Sequence, residues 1–265
     1  MKLNFVGTGN LTRFFLECLR GKYEFGFILS RNFDRAKSLA ERYEAIPSVL
    51  DYGEELEGTV FVLVPDRYIG EVSKKLKVKP NTVLIHCSGF LPSTVFSREH
   101  RASLHPNFSF SNLEKALEAR HEIIFGVEGD EEGVKVAVRI AKDISGRFFI
   151  VPTDRKVEYH LAAVMASNFP VAFMYLAKKI YSQLGLQDPD YLIYTLLKGV
   201  LESAKEMGVE RALTGPVKRG DWLVVEEEGR VFEKLFGERT VYDEVVTILK
   251  EVAEGERGKT EENER

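Results

Sequence analysis

The stretch MKLNFVGTGNLTRFF, residues 1–15, decides the fold. LNFV is an apolar run of strand length. Gly7-Thr8-Gly9 is a turn, and from Asn10 the apolar residues Leu11, Phe14, Phe15 and Cys18 recur with the 3.6-residue period of a helix. A strand that enters Gly-x-Gly and leaves as a helix is a dinucleotide-binding turn. The first glycine allows the tight bend and the second lets a pyrophosphate approach the backbone. The helix N-terminus offers free N–H groups and a partial positive charge. Gly7, Thr8, Gly9, Asn10 and Leu11 are therefore the expected pyrophosphate-binding residues. Thr12 stands where a third glycine would normally permit close helix–strand packing.

Working outward, YEFGFILS, TVFVLVP, TVLIHCSG, RASLHP, EIIFGVEG and RFFIVP read as further strands, with helical patterns at FDRAKSLAERY and about 131–144. Continuous apolar strands closed by Pro or Gly are those buried on both faces of a sheet. The alternation predicts an α/β fold, a doubly wound Rossmann-like parallel sheet over residues 1–152. Beyond it an all-helical C-terminal domain is expected over 153–254, opening at a Thr153 or Asp154 cap, and then a disordered tail, 255–265, without apolar residues. From Val157 to Leu184 the sequence is apolar on most faces and reads as a buried helix.

The chain has 265 residues, 44% hydrophobic and 29% charged, enough for a sizeable core. A net charge of −4 argues against a nucleic-acid binder, which needs a basic excess. Cys18 and Cys87 cannot form a disulfide framework. No apolar run is expected to reach membrane-span length, and the N-terminus has no leader pattern, so the expected location is cytoplasmic.

Ligands of open α/β sheets lie beyond the carboxyl ends of the strands. The second strand ends at Ser30-Arg31, where an NAD site would carry a carboxylate. A hydroxyl with a guanidinium suits the 2′-phosphate of NADP instead. Val64, Pro65, His86 and Ser88 are expected to line the ribose and nicotinamide, and His105 to face the substrate. In the helical part His160, Ser167 and Asn168 share a face, and Pro170 frees a carbonyl close by. Arg219 and Asp221, in LTGPVKRGD, could hold a charged substrate or form only a surface ion pair.

GTGNLT, ILSR, VPD, HCSG, HPNFSF, HLAAVMASN and LTGPVKRGD, taken together over roughly residues 1–254, resemble a poorly characterised family. Its members pair an NADP-binding Rossmann-like domain with a helical C-terminal domain of unknown function. That family is distantly similar to pyrroline-5-carboxylate reductase and 6-phosphogluconate dehydrogenase. The resemblance implies a homodimer built through the helical domains and an active site in a cleft. Two departures stand out. Ser167-Asn168-Phe169-Pro170 replaces the Ser-Gly-Pro-Ala stretch of the former enzymes, and Val164 occupies the position of the catalytic lysine of the latter.

The expected function is an NADP-dependent oxidoreductase that moves a hydride to or from C=O or C=N of a small polar metabolite. Asn168 and Ser167 would hydrogen-bond the developing charge, and His105 or His160 would exchange the proton near neutral pH. Arg219, with Asp221, would clamp a carboxylate or phosphate. The alternative is an NADP-binding sensor without turnover.

Overall fold

The computed structural model describes residues 1–50 and 53–263, with side chains described through residue 255. Of the tail expected to be disordered, 255–265, residues 264 and 265 lie outside the described residues, and the backbone of 255–263 continues the last helix. The chain divides into two compact units, Met1–Pro170 and Val171–Arg265. The division falls inside a helix rather than at the change of composition near residue 152.

The first unit contains β1 (Lys2–Val6), α1 (Asn10–Leu19), β2 (Glu24–Ser30), α2 (Phe33–Tyr43), β3 (Ile46–Val49), β4 (Glu55–Leu56) and β5 (Thr59–Val62). There follow α3 (Asp66–Lys75), β6 (Lys77–Val78), β7 (Val83–His86), β8 (Arg101–Pro106), α4 (Leu113–Glu118), β9 (Phe125–Gly129), α5 (Glu131–Ile144) and β10 (Phe148–Ile150). Eight strands form one sheet in the order β10-β9-β8-β7-β5-β1-β2-β3, and β4 pairs with β6. From β3 to β8 neighbouring strands are parallel.

The outer strands depart from the all-parallel expectation. β9 runs antiparallel to β8, and β10 runs parallel to β9. The cause is the connection from β8. Its first amide, Asn107 N–H, donates to Ile124 O at 3.0 Å, so the chain returns at the edge it left. Only a crossover to the opposite end could restore a parallel strand.

Alternate strand residues pack two separate cores. On one face Phe5 stacks on Phe61 with centroids 5.3 Å apart, and Phe15 of α1 lies 4.8 Å from Phe61. On the other, Val6, Val60, Val62 and Leu84 meet Ile69 and Val72 of α3. Burial at about 1.5–3 kcal/mol per large side chain makes this period-2 pattern the driving force for the sheet.

The glycine turn is locked by its neighbours. Gly7 has φ +115°, and a Cβ there would lie 2.2 Å from Leu63 O. Thr12 is fully buried, and its hydroxyl donates to Gly7 O at 3.0 Å. A threonine therefore serves where a third glycine was expected, because its hydroxyl ties helix to turn.

Helix α6 (Lys156–Gln183) begins after a 3-10 turn at Thr153–Arg155 and remains continuous through Pro170. Thr153 does not provide the expected cap; its hydroxyl donates to Glu128 Oε1 at 3.0 Å. The expectation of a buried helix is overturned. Leu161, Met165, Phe169, Phe173 and Tyr175 are each about half exposed in the single chain. The segment Thr153–Gln183, with a window of mean hydropathy 1.3, is also long and apolar enough by composition to cross a membrane. Its polar residues are interspersed, so no uninterrupted apolar run marks it in the sequence.

The second unit adds α7 (Pro189–Met207), α8 (Pro216–Arg219), α9 (Trp222–Phe236) and α10 (Thr240–Asn263). Val217, Val225 and Val246 form its small core with Tyr242 and Leu249.

Candidate active site

Two clusters occupy the carboxyl edge of the sheet within the first unit. The first is the glycine turn. Gly7 N–H donates to Leu29 O and Leu63 N–H to Val6 O, both at 2.8 Å, which brings the ends of β1, β2 and β5 together. Gly9 caps α1 with no side-chain hydrogen bond, and a Cβ placed on it would meet nothing within 4 Å. An open cradle at a helix N-terminus fits a pyrophosphate. Beside it is a cavity of about 460 Å³ lined by Thr8, Arg13, Asn32, Asp34, Arg35, Ser38 and Leu39. Arg31, read from the sequence as the phosphate anchor, is exposed on the turn, and the cations lining the cavity are Arg13 and Arg35.

The second cluster gathers around Lys156, which is only 2% exposed. Its Nζ donates to Ser88 O at 3.0 Å and to Ser103 Oγ at 2.8 Å. Ser103 in turn donates to Ser88 O at 3.0 Å. Burial lowers the Lys156 amine to about 8, opposed by the nearby Glu128, Cys87 and Asp66. Ser88 Oγ donates to Asp66 Oδ2 at 2.6 Å and accepts the amides of Phe90 and Leu91. Glu128, also buried, accepts from Ser93 N, Ser93 Oγ and Thr153 Oγ1.

Above this layer His105 Nδ1 lies 2.5 Å from Tyr159 Oη, and Tyr159 donates to Asn107 Oδ1 at 2.8 Å. Asn107 Nδ2 donates to Ile124 O at 2.9 Å, which fixes the amide's orientation. Small residues make room. A Cβ on Gly126 would lie 2.6 Å from Tyr159 Oη, and one on Gly89 would lie 2.7 Å from His160 and 2.9 Å from His105. Tyr159 is pushed up to about 12 by burial. His105 is lowered to about 4, by burial first and then by Lys156 and His160. At pH 7 His105 is therefore uncharged, so any proton it passes on must be replaced through its other ring nitrogen.

The segment after His105 links the two clusters. Asn10 Nδ2 donates to Phe110 O at 3.0 Å, and the Phe110 ring packs edge-on against Phe14 of α1.

Of the residues expected from the sequence, His105, His160 and Ser88 come together here. His86 does not reach the site surface. Its ring is fully buried against Phe96, Nδ1 accepts Ser88 N–H at 3.2 Å, and burial lowers it to about 3. Its place on the inward face of β7 makes it core. Ser167 and Asn168 are exposed two turns beyond His160; the Ser167 hydroxyl donates to Ala163 O at 2.7 Å, with Asn168 Oδ1 3.1 Å from it. They do not form the buried cluster expected with His160. In the second unit Arg219 Nε and Asp221 Oδ2 pair with each other at 2.9 Å, both substantially exposed.

Lys156, Tyr159 and Asn107 escaped the sequence reading. A lysine, a tyrosine three residues on and a histidine four residues on share one face of a helix. That spacing in KVEYH was the available signal.

Comparison with known proteins agrees with this architecture. Residues 123–247 match a family model described as a domain of unknown function, DUF2520. Protein TM1727 from Thermotoga maritima is 57% identical, aligned over 96% of this chain and 99% of its own, with TM-score 0.86. BF3122 from Bacteroides fragilis, provisionally described as an NADP oxidoreductase, is 22% identical over 94% of this chain and 98% of its own, with TM-score 0.77. A 1-pyrroline-5-carboxylate reductase from Streptococcus pyogenes shares the fold at TM-score 0.60 and 15% identity, over 95% and 98%. No curated protein matches in sequence. The chain belongs to the same family as TM1727, with DUF2520 in its C-terminal part.

Proposed function

We propose that the chain is an NADP-dependent oxidoreductase that transfers a hydride to or from C=O or C=N of a small carboxylate- or phosphate-bearing metabolite. The observation that carries this reading is the pairing, on one sheet edge, of the open Gly7–Gly9 cradle with the buried Lys156 cluster. The fold, shared with reductases, supports it. A sensor that only binds nucleotide has no use for a buried lysine amine behind a tyrosine and a histidine, so turnover is the better reading.

Gly7, Thr8, Gly9, Asn10 and Leu11 would hold the pyrophosphate. Ser30, Asn32, Arg13 and Arg35 would surround the 2′-phosphate, with two cations against the one carboxylate of Asp34. Val64, Pro65 and Ser88 would line the ribose and nicotinamide. Bound NADPH supplies the hydride from its nicotinamide ring. His105, His160 and Tyr159 would handle the proton. Ser167 and Asn168, on the same helix beyond His160, would hydrogen-bond the substrate. The exposed apolar residues of the helical unit, among them Tyr191, Leu201 and Leu223, support a homodimer formed through that unit. A cytoplasmic location accords with this chemistry.

Calorimetric titration with NADPH and NADH tests the cofactor assignment. NADPH is expected to bind more tightly. A charge-assisted contact contributes about 1.5–3 kcal/mol. Arg13→Ala and Arg35→Ala should therefore each weaken NADPH roughly ten- to hundredfold while leaving NADH nearly unchanged. Equal loss for both nucleotides would remove the 2′-phosphate assignment, and no binding of either would remove the oxidoreductase reading.

A further inference from the structure

We propose that Tyr159 gives the proton to the reduced atom of the substrate, that His105 returns a proton to Tyr159, and that Lys156 is a positioning residue whose charge favours the transient phenolate. The proposal rests on the oxidoreductase reading above and extends it to the acid.

The hydrogen-bond network fixes the direction of proton flow. Asn107 Nδ2 is committed to Ile124 O, so Asn107 presents an oxygen to Tyr159 and can only accept. The phenol proton therefore points to Asn107, and the 2.5 Å contact between Tyr159 Oη and His105 Nδ1 is donated by His105. Neutral His105 carries its proton on Nδ1 and has a bare Nε2. A Cβ on Gly89 would lie 2.9 Å from that Nε2, so glycine keeps this side of the ring clear. Gly126, opposite His105 on β9, does the same for the phenol oxygen.

Lys156 Nζ lies 5.6 Å from the centre of the Tyr159 ring. Its hydrogen bonds go to two uncharged oxygens, and among the described residues no carboxylate stands within ion-pair distance. A buried cation without a paired anion destabilises a fold, so its presence beneath a phenol calls for a functional explanation.

The step balances. A hydride adds to the substrate carbon, and the C=O or C=N π pair moves to the heteroatom. The heteroatom takes the phenol proton as Tyr159 turns from Asn107. The phenolate takes the Nδ1 proton of His105 while Nε2 takes one from water. The net change is one hydride from the reduced nicotinamide and one proton from solvent. Although burial raises the phenol to about 12, an alkoxide or amide anion is more basic still, so the transfer runs downhill.

Ring ¹⁵N NMR on the labelled chain, assigned with His105→Asn, reads the tautomer without substrate. Protonation on Nδ1 is expected, and protonation on Nε2 overturns the relay. Turnover of NADPH with a panel of keto acids, aldehydes and imines gives the kinetic test. Tyr159→Phe should lower kcat by about 100-fold or more while KM and the NADPH dissociation constant stay within about twofold. An unchanged kcat overturns the proposal.

The groups facing Lys156 are Asp66, His86, Cys87, His105, Glu128 and Tyr159. The wild-type rate of reduction should fall as pH rises through about 8, where Lys156 loses its proton, and Lys156→Met should be slow with that limb gone. A limb that survives in Lys156→Met refutes the part assigned to lysine. If no compound in the panel reacts, the tautomer decides. If NADPH fails to bind, the oxidoreductase reading fails and the proposal fails with it, whatever the tautomer.

Discussion

Replacing Lys156 with methionine is expected to make the protein more stable at pH 7, not less. The amine is held at about 8, below its ordinary value near 10.5, because burial disfavours its charge. At pH 7 the folded chain carries that penalty in full, of order 3 kcal/mol by the linkage between pKa and stability. Methionine fills similar volume without charge. It forfeits hydrogen bonds to Ser88 O and Ser103 Oγ, about 1 kcal/mol each, but these two groups remain bonded to each other. A net gain of about 1 kcal/mol should follow, read from chemical denaturation. Between about pH 8 and 10.5 the unfolded state binds more protons than the folded state. Wild-type stability from this group therefore rises with pH across that window. In Lys156→Met the rise should be absent. A variant that is less stable at pH 7 would mean that the hydrogen bonds outweigh desolvation and that Lys156 is structural.

A second large effect separates the scaffold from the site at two neighbouring glycines. A Cβ at Gly9 meets nothing within 4 Å, and its φ of −78° suits any residue. Gly9→Ala should therefore melt within about a degree of wild type, yet bind NADPH at least tenfold more weakly, because the methyl occupies the approach of the pyrophosphate. At Gly7 a Cβ would lie 2.2 Å from the backbone oxygen of Leu63, at φ +115°. Gly7→Ala must push β1 from β5 and should lose about 2–4 kcal/mol of stability. Melting curves and calorimetric titration on the two variants give the comparison. If Gly9→Ala binds NADPH as well as wild type, the cradle is only a turn.

Much of the fold was legible because it depends on local pattern. The strand–glycine–helix start, the apolar strands and the helical second part all follow from periodicities of about 2 and 3.6 residues. Thr12 could be flagged as a departure but not explained, since its hydroxyl bond to Gly7 O exists only once helix and turn meet. The reversed β9 depended on a bond between Asn107 and Ile124, seventeen positions apart, that no local pattern encodes.

The candidate site was legible in part. Ser88, His105 and His160 were found because they stand at strand ends or interrupt an apolar helix. His86 was misread by the same logic, since a position one residue from a strand end can face either side. Lys156 went unread because a lysine in a charged segment, TDRKVE, has the composition of a solvated turn.

The sequence by itself determined the strand–glycine–helix turn, the alternation of the main strands with helices, the helical second part and the family resemblance, because each resides in contiguous residues whose spacing sets backbone geometry. Only the tertiary structure decided which polar groups are buried. Lys156 lies beneath Tyr159 because β7, β8 and the start of α6 converge there, and that desolvation, not the residue type, lowers the amine and holds His105 neutral.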